Sequence, residues 1–131
     1  MSSFLQTMDA HSLGEWGEWQ AAKFLQKHGF KILLKGYRCK MGEIDLVARE
    51  QDILVFVEVK TRQTIHYGDP ASAVTPQKQR HICRVALDYL RRLRNPEIPV
   101  RFDIVEVVPD GSSARCTHYR DAFAMSEPYI Y

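Results

Sequence analysis

The groups best suited to chemistry are the carboxylates of Glu43, Asp45 and Glu58 and the ammonium of Lys60, carried by two neighbouring stretches, 43–49 and 53–61. Period-2 alternation in the first, branched residues in the second and a two-residue turn at Gln51-Asp52 predict an antiparallel hairpin. In that register Val55, Val57 and Val59 oppose Ala48, Leu46 and Ile44 on an apolar face. The other face sets Asp45 against Glu58 and Glu43 against Lys60, with Val47 and Phe56 at its apolar end. A slip of one residue would mix polar and apolar groups on both faces, so hydrophobic segregation selects the register that gathers the charges. Facing carboxylates repel unless a proton or a cation intervenes. A hard divalent ion answers that need: Mg2+, with Mn2+ as its substitute, takes one or two carboxylates plus water and phosphate oxygens, and Lys60 adds a compact charge for a phosphate. That is the equipment of phosphodiester hydrolysis. The same residues also make an ordinary salt-bridge ladder in which Lys60 neutralises Glu43 or Glu58, and spacing does not separate the two readings.

Other chemistries lack their residues. There is no G-x-S-x-G, no G-x-x-x-x-G-K-[ST], no H-E-x-x-H and no dinucleotide-type glycine fingerprint. His11, His28, His66, His81 and His118 have no metal-ligand spacing and read as surface or packing residues. Cys39, Cys83 and Cys116 form no C-x-x-C pair, which fits a reducing, cytoplasmic setting. The longest aliphatic or aromatic run, Ile53 to Val57, is too short for a membrane span. A net charge of +2 says little, but its distribution is uneven: residues 31–40 carry four basic side chains and no acid, and residues 76–94 carry six against Asp88.

These groups need a scaffold, and 131 residues make one domain. Residues 1–12 read as a flexible lead-in, 13–123 as a single domain and 124–131 as an irregular tail. Ser12 and Glu15 form a capping box for a helix over 13–28, in which Leu13, Trp16, Ala21, Phe24 and Leu25 recur at helical spacing until Gly29. Glu18 falls at the border of that stripe, while Glu15 points further toward solvent. A strand at Phe30 to Leu34 and a basic turn from Lys35 to Gly42 precede the hairpin. After a loop over 62–74 with Gly68, Asp69 and Pro70, Thr75 caps a helix with Pro76 at its first position and a stripe of Ile82, Val85, Ala86, Tyr89, Leu90 and Leu93, ended by Asn95-Pro96. Val100 to Val108 predicts a strand, and Arg115 to Arg120 is a candidate edge strand. The fold class is α/β, an α+β mixed sheet in the order α-β-β-β-α-β.

Gly17-Glu18, Gly42-Glu43-Ile44-Asp45-Leu46, Phe56-Val57-Glu58-Val59-Lys60-Thr61-Arg62, Gly68-Asp69-Pro70, the helix start at Val74 to Gln79 and Arg101-Phe102-Asp103 together resemble the YraN family of small bacterial proteins over about Leu13 to Phe123. The resemblance implies a restriction-endonuclease-like core akin to archaeal Holliday-junction resolvases. It implies that Asp45 and Glu58, with a backbone carbonyl near Val59, hold the metal. Glu18 would join a second metal or orient water, and Lys60 would position the nucleophile or stabilise charge on the phosphate.

The expected function is a Mg2+-dependent endonuclease acting on DNA by shape, branched or damaged, since no base-reading module is visible. Arg62, immediately after the site strand, is the foremost phosphate contact, with Arg38, Lys40, Lys78, Arg80 and Arg84 as further neutralising groups. Arg91, Arg92 and Arg94 read as a solvated helix face. Trp16, Trp19 and Tyr129-Ile130-Tyr131 are available for a homodimer interface, as small resolvase-like enzymes commonly form. The alternative, left open by the residues, is a nucleic-acid-binding or partner-binding protein that keeps the fold without cutting.

Overall fold

The computed structural model of the chain describes residues 9–63, 74–94 and 97–125. The loop carrying Gly68, Asp69 and Pro70, the Asn95-Pro96 helix stop, the Tyr129-Ile130-Tyr131 tail and most of the lead-in lie outside the described residues. Among the described residues, two helices and five strands follow in the order α1 (Ala10–Lys27), β1 (Lys31–Cys39), β2 (Gly42–Glu50), β3 (Ile53–Thr61), α2 (Pro76–Arg91), β4 (Val100–Asp110) and β5 (Ser113–Phe123). The strands form one mixed sheet in sequential order β1-β2-β3-β4-β5. Only the β3–β4 pair is parallel, because the chain crosses over through α2 between those strands. The mixed α+β class and the α-β-β-β-α-β order are thus present, and the candidate edge strand is real and longer than its sequence signal.

Each face of the sheet has its own core. Ala21, Ala22 and Leu25 of α1 cover Leu46, Ala48, Val55, Val57, Val105 and Val107. Ile82, Val85 and Ala86 of α2 cover Val47, Phe56, Phe102 and Ile104 on the opposite face. Covered on both sides, Leu54 to Val57 are buried without interruption, as a central strand's continuous apolar run requires.

Local differences from the sequence reading have physical causes. Helix α1 begins a turn earlier than Leu13, because Asp9 is the N-cap and accepts the Ser12 N–H at 2.8 Å; Ser12 is inside the helix rather than its cap. Residues Lys35 to Cys39 continue β1 instead of forming a turn. Tyr37 pairs with Ile44 and Arg38 with Glu43, so strand partners satisfy a backbone whose basic composition suggested a loop. Helix α2 starts as predicted, with Thr75 as N-cap and Pro76 in its first turn, and ends at Arg91.

Helix α1 lies close against the sheet because of Gly17. A Cβ there would stand 3.0 Å from the Thr61 Cβ and 3.2 Å from its Cγ2, with the Thr61 hydroxyl closer still. Gly17→Ala is expected to lift the N-terminal half of α1 off β3 and to cost about 1–3 kcal/mol, the usual penalty for overpacking. Chemical denaturation measures it, and a change below about 0.5 kcal/mol would contradict the close approach.

Candidate functional site

The hairpin pairs as hydrophobic segregation requires, from Glu50↔Ile53 to Leu46↔Val57, and then the two strands part. Beyond that point the Val59 N–H donates to the Asp45 Oδ2 at 2.8 Å: a carboxylate takes the place of a strand carbonyl. Ile44 marks the same break. Two residues from Leu46, it would share that residue's face in a regular strand, yet it packs in the opposite core with α2. The neighbouring strand reverses at the same level, since Leu46 pairs with Lys35 and Ile44 with Tyr37. Between Lys35 and Tyr37, Gly36 has φ +75°, a conformation that glycine adopts without steric cost. The expected single apolar face containing Ile44, Leu46 and Ala48 is therefore corrected at Ile44. So is the facing pair Glu43 and Lys60: Glu43 meets Arg38 at 3.0 Å, and Lys60 instead approaches Glu58, its Nζ 3.7 Å from Oε2.

The fork opens a cleft of about 350 Å³ lined by Glu18, Asp45, Glu58, Val59, Lys60 and Thr61 with Ala10, Leu13 and Gly14 of α1. All four residues of the acid–acid–acid–lysine set thus share one cavity. Glu58 is 5 % exposed, and its Oε1 has no hydrogen-bond partner. Burial, then the charge of Asp45, push the Glu58 carboxyl up to about 8. Burial raises Asp45 as well, against the opposing pull of the Val59 N–H. Glu18, reached from α1, is pushed up to about 7 by burial and by Asp45, while Lys35 stands 3.8 Å from it. Among the described residues, no group of three or more His, Cys, Asp or Glu side chains is arranged to hold a metal ion.

Asp45 and Glu58 nevertheless suit a divalent cation. A buried carboxylate oxygen without a partner, on an acid whose ionisation its neighbour Asp45 opposes, is a site short of positive charge. Mg2+ commonly accepts one or two carboxylates and completes its shell with water. The titration carries a test. Glu18 and Glu58 hold protons in the folded chain at pH values where the unfolded chain, with carboxyls near 4.5, has lost them. Their contribution to stability is therefore full below about pH 4.5 and declines as pH rises toward about 8. Melting of the metal-free protein is expected to fall across that window, and saturating Mg2+ is expected to remove most of the fall. A metal-free melting temperature that stays level or rises between pH 5 and 8 would refute the assignment.

The basic residues divide. The guanidinium of Arg62 lies 3.1 Å from buried Glu106, at the end of β3 where the Arg62 N–H also bonds the Val107 carbonyl at 2.9 Å. Arg38 is engaged with Glu43, and Lys40 and Arg80 are exposed on the β1–β2 turn and on α2. Lys78, expected as an outer phosphate contact, instead reaches the acids: its Nζ is 3.8 Å from Glu58 Oε2. Lys35 and Thr61 were not anticipated at the site. A lysine within a basic run carries no local mark of facing an acid on a helix; only the packing of α1 on β1 reveals it.

His118, at the far end of the same α1-covered face, contacts fully buried Asp103 at 2.7 Å and so has the packing role expected of the histidines. The three cysteines are unpaired. Among the described residues no helix is long and apolar enough to cross a membrane.

Residues 17–107 match the uncharacterised protein family UPF0102. A UPF0102 protein of Geobacter metallireducens is 44% identical over 115 residues, covering 88% of this chain and 94% of that one. One from Symbiobacterium thermophilum is 49% identical over 113 residues, 85% of this chain and 95% of that one. Among solved structures, that of Pyrococcus furiosus SfsA in complex with Ca2+ aligns with a TM-score of 0.38 at 12% identity, covering 86% of this chain and 64% of that chain.

Proposed function

We propose that this chain, which belongs to the uncharacterised protein family UPF0102, the YraN family it resembles in sequence, is a divalent-cation-dependent nuclease that hydrolyses phosphodiester bonds of DNA. The observation that carries the reading is the Asp45–Glu58 pair at the strand fork, buried, both raised in pKa by that burial and open to a cleft that also holds Lys60. Asp45 and Glu58 would hold Mg2+, with the Val59 carbonyl as a further oxygen and Glu18 outside the pair. Bound there, the ion would supply Lewis acidity toward a phosphate oxygen and lower the pKa of water.

The chain's own residues do the rest. The Val59 N–H fixes Asp45 in position, at 2.8 Å. Glu18 orients the attacking water, whose oxygen bonds to phosphorus as the bond to the leaving sugar oxygen breaks and a proton passes to that oxygen. Lys60 stabilises the charge that gathers on the phosphate. Recognition would rest on backbone contacts and the shape of branched or damaged DNA.

The test incubates purified protein with branched, flapped and linear DNA in Mg2+ or Mn2+. Metal-dependent cutting that disappears in Asp45→Asn supports the reading. DNA binding without cutting, at a site that takes up no metal, would favour the non-catalytic alternative.

A further inference from the structure

We propose that Lys78 is a second ammonium of the active site, binding the phosphate to be cut rather than one further along the backbone; the proposal rests on the nuclease reading above. Lys60 and Lys78 converge on one oxygen of Glu58, with Nζ to Oε2 distances of 3.7 and 3.8 Å. Both distances exceed the roughly 2.7–3.2 Å of an N–H···O hydrogen bond. Neither ammonium is therefore bonded to the acid, and both approach Oε2 while Oε1 is without a partner. Their side chains are 32% and 44% exposed, so a phosphate entering from solvent can reach them.

Charge counting favours the same role. Glu18, Asp45 and Glu58 carry three negative charges when ionised, matched by Lys35, Lys60 and Lys78. A divalent ion between Asp45 and Glu58 leaves two positive charges in surplus. A phosphodiester brings one negative charge and gains a second when the water adding to phosphorus gives up a proton to solvent, so the surplus is matched when the transition state forms. With Lys78 removed, half of that surplus is gone.

The backbone under Lys78 is held in place. Its N–H bonds the Thr75 cap hydroxyl at 3.2 Å, and the Gln79 amide donates to the Val74 carbonyl at 3.0 Å. Arg80, two residues on and exposed, is by contrast an ordinary candidate for an outer backbone contact.

Lys78→Met, Lys78→Gln and Lys78→Arg separate these roles, the two neutral variants guarding against a folding defect in either. The first measurement is calorimetric titration with inorganic phosphate in saturating Mg2+. Both neutral variants are expected to bind phosphate about tenfold or more weakly than the unmodified protein, and Lys78→Arg within about threefold, with Mg2+ affinity undiminished. The second is single-turnover cleavage, expected to slow about 100-fold in the neutral variants. Loss of an outer phosphate contact would instead lower the salt slope of DNA binding by about one and leave the single-turnover rate unchanged.

Phosphate binding unaffected by the neutral variants, or absent from the unmodified protein, would overturn the proposal. So would a reduced salt slope with an unchanged single-turnover rate. If phosphate binding depends on Lys78 but no DNA substrate is cut, the nuclease reading fails while the phosphate site stands.

Discussion

Asp45→Asn is expected to lower Mg2+-dependent DNA cleavage by about three orders of magnitude while leaving the protein folded. Asparagine keeps an oxygen for the Val59 N–H, which now donates to Asp45 Oδ2 at 2.8 Å, so the fork retains its shape. What is lost is the charge that, with Glu58, would hold the ion. The charge of Asp45 also helps raise both Glu18 and Glu58. Without it their carboxyls should titrate lower, and the metal-free variant should melt higher than its parent near neutral pH. Weaker Mg2+ binding with a higher metal-free melting temperature is a combination that damage to the fold does not produce. Calorimetry and thermal melts measure both. Cleavage and Mg2+ affinity equal to the parent's would rule out Asp45 as a ligand.

The largest effect on stability is expected far from the cleft, at Asp103. This residue is fully buried, yet its carboxyl accepts from Arg101 at 2.8 and 2.9 Å, from the His118 ring at 2.7 Å and from the Asp121 N–H at 3.0 Å. Burial works to raise its pKa, but these hydrogen bonds outweigh burial and hold it below the usual carboxylate range. Arg101 also contacts Glu50 at 3.0 Å, and Glu50 is pulled down to about 2, chiefly by the hydrogen bonds of Arg120. Asp103→Ala removes the anion, leaving Arg101, 14% exposed, with Glu50 alone and taking the carboxylate from the His118 ring and the Asp121 N–H. The expected cost is about 3–5 kcal/mol, as for breaking a buried ion pair from one side, or roughly 10 °C or more in melting temperature. Because Asp103 does not line the cleft, Mg2+ binding should persist below the new transition. A loss under about 1 kcal/mol would show that the network contributes little. Arg101-Phe102-Asp103, one of the motifs behind the family resemblance, is on this account a structural lock between β4 and β5.

Much of the site was legible because its two central acids are close in sequence. The turn at Gln51-Asp52 and the need to keep Leu46, Ala48, Val55 and Val57 on one face leave a single register, which is the one observed through Leu46↔Val57. That brings Asp45 beside Glu58 without any knowledge of the rest of the fold. Glu18 was legible in part, since helical spacing sets it at the border of the α1 stripe, where it is 24% exposed against 58% for Glu15. The reversal at Ile44 was not. Alternation assumes that a strand stays regular, and nothing beside Asp45 announces that its side chain will take the Val59 N–H and let the strands part.

Periodicity and turn chemistry, which act over a few neighbouring residues, were enough to specify the elements, most of their order and the hairpin that pairs two acids. Which cations attend those acids was decided by tertiary packing alone. Lys35 approaches Glu18 and Lys78 approaches Glu58 because α1 and α2 cover opposite faces of a sheet that splits between them. A long side chain on one element meets a partner on another only when the layers dock, and that placement follows from the whole core rather than from any window of the chain.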